Sequence, residues 1–121
     1  MRHFLAIFVV VPFCASAANA PPPGIPISER DRTELSTATK ALKKGIDDYD
    51  GSKHALLPDI IIFYNAVRYA LDDNMFYQAR DVDSARILLA LGQKRLAQLR
   101  LGKHPWTTAA GFVVRGYRSR L

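Results

Sequence analysis

His54, His104, Cys14 and a scatter of aspartates are the residues here whose side chains could do chemistry, and their spacing argues against it. A zinc site needs ligands at short, defined separations, and neither His54 nor His104 has a second histidine or an acid at HxxxH or HxxE spacing. His104, beside Pro105 and Trp106, reads as a loop residue packed on the indole. Asp47, Asp48 and Asp50 cluster near a helix end, but the residues after them lack the alternating oxygen ligands of a calcium loop. Asp72-Asp73-Asn74 suits a turn and cap, where short polar side chains bond back to the backbone. There is no GxSxG nucleophile elbow, no GxxxxGK phosphate loop and no Rossmann glycine pattern. The sequence therefore predicts no catalytic residue, no metal site and no cofactor within the chain.

The first residues read as an address. Met1-Arg2-His3 is a short basic head, and Phe4 to Phe13 is an apolar run of ten. At about 1.5 Å rise per residue such a run is too short to span a bilayer. Ala15-Ser16-Ala17-Ala18-Asn19-Ala20 then supplies the small residues of a signal-peptidase site. Cleavage after Ala17 satisfies the small-x-small rule, whereas cleavage after Ala20 would set Pro21 beside the scissile bond. Phe13 is too bulky for the position before a lipidated Cys14. The expectation is a signal peptide over residues 1–17, a periplasmic or extracellular location, and no stable membrane anchor after cleavage. Removing 17 of the 121 residues leaves 104, enough for one small domain, and takes the only cysteine with it. Export also makes nucleic acid an unexpected partner. With 49% hydrophobic and 23% charged residues, the composition is that of a folded domain and excludes a disordered tail or a multi-pass membrane protein.

The mature chain reads as mainly α: an extended Pro-rich lead over 18–27, a helical domain over 28–102, and a linker with one strand over 103–121. Ser28 caps the first helix with Asp31 in the place of the capping-box acid. Leu35, Ala38, Leu42, Ile46 and Tyr49 follow at helical steps, and Asp50-Gly51 ends the run. Pro58 opens a second helix, where its missing N–H costs nothing, and Asp59 suits the positive end of the helix dipole. Ile60-Ile61-Ile62-Phe63-Tyr64 would also suit a buried strand. Continuation to Leu71 without a turn signal favours a buried helix. The third helix begins near Asp81 or Asp83, ends before Gly102, and buries Val82, Ala85, Leu88, Leu89, Leu96 and Leu99. Three antiparallel helices joined by short loops are the economical arrangement.

After His104-Pro105-Trp106-Thr107-Thr108 the pattern changes. Residues 111–121 read as a strand bulged at Gly116, with Phe112, Val114, Tyr117 and Leu121 on one face and Arg115, Arg118 and Arg120 on the other. A strand needs a partner for its backbone groups, and the chain offers no second strand. The expectation is therefore that this is the N-terminal part of a longer protein, the strand being the start of a β-rich region. Charge is also uneven. Residues 29–83 hold 8 basic and 11 acidic side chains, whereas residues 86–121 hold 8 basic and none acidic. A basic end can steer a protein to anionic partners such as lipid head groups or wall polymers. The simpler expectation is that these cations meet acids within the fold.

The stretch Leu57-Pro58-Asp59, Ala66-Val67-Arg68-Tyr69-Ala70-Leu71, Phe76-Tyr77, Ala85-Arg86, Leu88-Leu89 and Gly92 resembles the N-terminal helical region of large secreted bacterial hydrolases of the prolyl-oligopeptidase-like α/β-hydrolase group. Most of the resemblance is carried by Gly102-Lys103-His104-Pro105-Trp106-Thr107-Thr108 and by Gly111 with Val113-Val114-Arg115-Gly116-Tyr117-Arg118-Ser119. In those proteins a PWTT segment and an RGYRS strand lead from the helices into a β-rich region, with the hydrolase domain beyond. Pro21-Pro22-Pro23-Gly24-Ile25-Pro26 is similar as well, so the resemblance spans nearly the whole mature chain. His104 departs from it, since a small or polar residue is expected before the Pro-Trp pair.

The resemblance implies a Ser-Asp-His triad downstream of Leu121, with no catalytic residue carried by this sequence. It also implies that the partner is the chain's own downstream hydrolase domain, with Trp106, Phe112, Val114 and Tyr117 as interdomain contacts. The alternative is a complete small exported helical protein that binds an anionic envelope partner through Arg115, Arg118 and Arg120.

Overall fold

Three helices form because three apolar stripes of matching length are separated by turn signals, and each stripe closes on the other two. In the computed structural model, which describes residues 21–49 and 54–119, they are α1 (Glu29–Asp47), α2 (Pro58–Asp72) and α3 (Arg80–Arg100). A single 3₁₀ turn, Pro105–Thr107, follows. Residues 1–17, expected from the sequence to be a signal peptide, lie outside the described residues. None of the described helices is long and apolar enough to cross a membrane.

Helix α1 starts as its sequence dictates. The Ser28 hydroxyl accepts from the Asp31 backbone N–H at 3.1 Å and donates to the Asp31 carboxylate at 2.6 Å. Helix α2 opens on Pro58, as its sequence requires. The β-branched run 60–64 is helical, and the strand option for it is excluded. Helix α3 begins at Arg80, just before the expected Asp81. It ends at Arg100, and Gly102, with a positive φ of 68°, lets the Lys103 N–H reach back to the Gln98 carbonyl.

Side-chain bonds fix the direction of each helix. Arg86 near the start of α3 pairs with Asp31 and Glu34 near the start of α1, and Arg100 at the end of α3 donates to the Gly45 carbonyl near the end of α1. Thus α1 and α3 run parallel. Arg32 of α1 meets the Leu71 carbonyl at the far end of α2, and Arg95 of α3 meets the Asp59 carbonyl at its near end, so α2 runs against both. The core between them holds Leu35, Leu42, Ile60, Val67 and Leu96, each at most 1% exposed. Gly92 lets α3 approach closely there: a Cβ on it would stand 2.7 Å from Leu42 Cδ2 and 3.1 Å from Phe63 Cβ.

The two flanking segments are strapped to opposite ends of α2. In the Pro-rich lead, the Ile25 N–H donates to the Phe76 carbonyl at 2.6 Å, and Asn74 Nδ2 donates to the Gly24 carbonyl. Residues 112–119 form neither helix nor turn, and no strand forms among the described residues, which corrects the expectation of a C-terminal strand over 111–121. The physical reason is the absence of a neighbouring strand. The Val114 carbonyl and the Gly116 N–H are taken instead by the side chains of Arg95 and Asp59. The expected shared face also divides. Phe112 and Tyr117 are 97% and 90% exposed, Val114 is half exposed, and Val113 packs on the helical core; Arg120 and Leu121 lie outside the described residues.

Candidate functional site

Asp59 stands in the first turn of α2 between apolar neighbours, Leu56-Leu57-Pro58 before it and Ile60-Ile61-Ile62 after it. That setting buries it whichever way the helix turns, and it is 1% exposed. A carboxylate so placed needs donors for its lone pairs. They come from the C-terminal segment: Trp106 Nε1 at 2.9 Å and Arg115 Nε at 2.7 Å donate to Oδ2, and the Gly116 N–H donates to Oδ1 at 2.6 Å. One carboxylate therefore gathers Trp106 from the turn after α3 and Arg115 and Gly116 from the tail.

Arg95 completes the arrangement from α3. Its guanidinium lies 4.9 Å from the Phe63 ring centre and 5.1 Å from that of Trp106, and donates to the carbonyls of Asp59 and Val114 at 3.0 and 2.9 Å. Desolvation lowers the Arg95 pKa from its ordinary value, against the pull of Asp59 and with a small push from Arg115. Gly116 lies where no side chain fits. A Cβ there would stand 2.1 Å from the Pro58 carbonyl oxygen, so the tail backbone rests directly on the start of α2.

The chemistry available to this cluster is that of a fastener. Asp59 accepts three hydrogen bonds and is closed to solvent, which leaves no approach for a substrate or for a proton to be taken from one. The two histidines among the described residues are engaged locally. His54 Nδ1 accepts from the Leu56 N–H at 3.1 Å, and exposed His104 places Nδ1 3.1 Å from the Thr107 hydroxyl within its own turn. An open cleft of about 470 Å³ runs between α1 and α2, lined by Lys43, Lys44, Asp47, Asp48, Arg68 and Asp72 among others. Its charges are largely self-neutralised by the pairs Lys43–Asp47, Lys44–Asp48 and Arg68–Asp72, and its Thr39 hydroxyl donates to the Leu35 carbonyl. No group of His, Cys, Asp or Glu that could hold a metal ion occurs among the described residues.

Of the residues singled out from the sequence, Trp106 and Arg115 meet at Asp59. Phe112 and Tyr117 point to solvent, and Arg118 is exposed. Arg115, read as an anion contact, spends its guanidinium on Asp59. Arg86, Arg95 and Arg100 of the same basic third are engaged inside the fold too, which leaves Lys94, Lys103 and Arg118 as its free described cations. Reading Asp59 as a helix-dipole partner missed its main role. The signal that could have found it was an acid with apolar residues on both sides. Comparison with protein-family models, curated proteins and solved structures finds no match for this chain.

Proposed function

We propose that the chain is the non-catalytic N-terminal helical module of a secreted serine hydrolase of esterase or peptidase type, with the catalytic domain beyond residue 121. In this reading the three helices form a platform, and the segment 103–119 is the lead into the next domain, becoming a strand when it finds its partner. The observation that carries the reading is the attachment of Trp106, Arg115 and Gly116 to one buried carboxylate. A buried, fully satisfied polar cluster specifies a single geometry for the segment it holds. Here that segment leaves the platform with Phe112 and Tyr117 uncovered, as a contact surface for a following domain would be. Of the three cations on which the alternative, binding of an anionic envelope partner, relies, Arg115 is spent on Asp59, Arg118 is exposed, and Arg120 lies outside the described residues.

The test uses the native protein, tagged behind residue 17 and purified from its source. Expected are a chain that begins at Ala18, a mass far above that of 104 residues, and covalent labelling by a fluorophosphonate probe, which reacts with activated serines. A native chain that ends at Leu121, or one that takes no label, would overturn the proposal.

A further inference from the structure

Arg68 leaves its hydrogen-bonding capacity unspent. Its guanidinium lies 4.0 Å from the Tyr69 ring centre and 5.6 Å from that of Tyr64, which steadies its plane, yet it makes no hydrogen bond among the described residues. Nε is closed to solvent without an acceptor, and Nη1 stands 3.6 Å from the Asp72 carboxylate, beyond hydrogen-bond reach. The edge formed by Nε and Nη2 thus lacks an acceptor, and a carboxylate is the planar group that fits such a fork. Arg68 lines the cleft of about 470 Å³ between α1 and α2. That volume falls within the range of small-molecule sites, about 300–1,000 Å³.

The opposite wall of the cleft carries further unspent groups. The antiparallel register that sets Arg32 at the Leu71 carbonyl brings Ser36 level with Arg68, and Lys40 level with Tyr64. The hydroxyls of Ser36 and Tyr64 and the Lys40 ammonium have no hydrogen bond or ion pair among the described residues. The other polar groups on that wall are taken: Thr39 by the Leu35 carbonyl, Lys43 by Asp47 and Lys44 by Asp48. Lys40, Lys43, Lys44 and Arg68 line the cleft against Asp47, Asp48 and Asp72, so its charge favours one added negative group. Leu71, the Tyr64 ring and the lysine stems supply apolar wall. We infer that this cleft binds a small organic anion, one carboxylate on an apolar or aromatic body. Arg68 and Lys40 hold the carboxylate, and Tyr64 and Leu71 receive the body. The inference stands apart from the hydrolase reading.

The experiment irradiates the native protein with 4-benzoylbenzoate, an aromatic carboxylate that cross-links on illumination, and maps the label by mass spectrometry of fragments. Expected is label on residues 36–48 or 64–72 that excess benzoate removes and that benzylamine, its cationic counterpart, leaves in place. Arg68→Gln removes the fork and should weaken labelling of these fragments about tenfold or more, as the loss of a charge-assisted hydrogen bond does. Lys40→Glu, at an exposed position of α1, reverses the second cation and should weaken it about fivefold, so the test does not depend on how Arg68 packs. Lys103→Gln, outside the cleft, should change nothing. Label found only outside these two helices overturns the site, as does cleft label that survives Lys40→Glu or that Lys103→Gln lowers equally. Displacement by benzylamine as strong as by benzoate would show that charge does not select the ligand, and equal displacement by inorganic phosphate would overturn the organic class.

Discussion

Deleting the carboxylate of Asp59 would leave three donors facing an apolar interior: the indole N–H of Trp106, the guanidinium of Arg115 and the Gly116 N–H. An abandoned buried donor costs about 1–3 kcal/mol, and removing one partner of a buried ion pair costs about 3–5 kcal/mol. Arg115 is half exposed and regains water, which pulls the total down. Asp59→Ala is expected to lose about 2–4 kcal/mol in urea melts. Asp59→Asn should lose nearly as much, because an amide offers one acceptor where two are used and sets its own N–H groups against donors. Trp106 is the only tryptophan, so its fluorescence reports the cluster directly: both variants should shift its emission to the red before the helices melt. An unshifted spectrum would mean that Asp59 does not hold the indole. Trp106→Ala, at a site 7% exposed, should cost about 3–5 kcal/mol, whereas Trp106→Phe should cost about 1–2 kcal/mol through the lost hydrogen bond to Asp59. Equal losses in the two variants would place the energy in the hydrogen bond and not in the packed ring.

Among the elements, Gly92 sets how closely the helices meet. Glycine inside a helix is about 1 kcal/mol worse than alanine, so Gly92→Ala on an exposed face would stabilise the protein. Here the added methyl would press on Leu42, which has no exposure, and on Cβ of Phe63, which is fixed to the backbone of α2. Overpacking costs about 1–3 kcal/mol, so a net loss of about 1 kcal/mol and a lowered Tm are expected. A raised Tm would show that the core has room. The elements themselves were legible from the sequence because each signal was local: the Ser28–Asp31 cap, Pro58 at the start of α2, and the stop at Gly102. The close approach at Gly92 was not, since it depends on which residues of two other helices lie opposite. The tail was half legible. That it is not helical follows from Gly111 and Gly116, but alternation alone assumes a neighbouring strand, and the partners among the described residues are Arg95 and Asp59, 19 and 57 positions away. The apolar breadth of α2, which read only as deep burial, acquires a purpose once the tail is seen resting on Pro58 and near Ile62.

At the scale of the whole molecule, the division of charge between the acidic first part and the basic last third becomes a set of internal ties. Arg86 is the largest of these, bonded to Asp31 at 2.6 Å, Glu34 at 2.8 Å and Asp83 at 2.8 Å, and the three carboxylates hold its pKa above the usual arginine range. The Ser28 hydroxyl and then Arg86 lower the pKa of Asp31 from its ordinary 3.8, while Arg86 is the first cause of the lowering of Glu34 from 4.5. A carboxylate whose folded pKa lies below its unfolded one adds stability that is complete above the unfolded value and is lost as pH falls through the folded one. The tie between α1 and α3 should therefore be constant from neutral pH down to about 5 and fade from about pH 4 downward. Arg86→Gln removes the larger cause for Glu34 but leaves Ser28 to act on Asp31, so the acid-side slope should become shallower without vanishing. Ser28→Ala combined with Arg86→Gln should flatten it further. Added salt should weaken the wild-type tie at pH 7, because these groups sit in contact with solvent where ions screen them. The measurement is the urea midpoint at half-unit steps between about pH 3 and 7. Parallel curves for the wild type and the double variant would mean that this cluster does not link the packing of α1 on α3 to protonation.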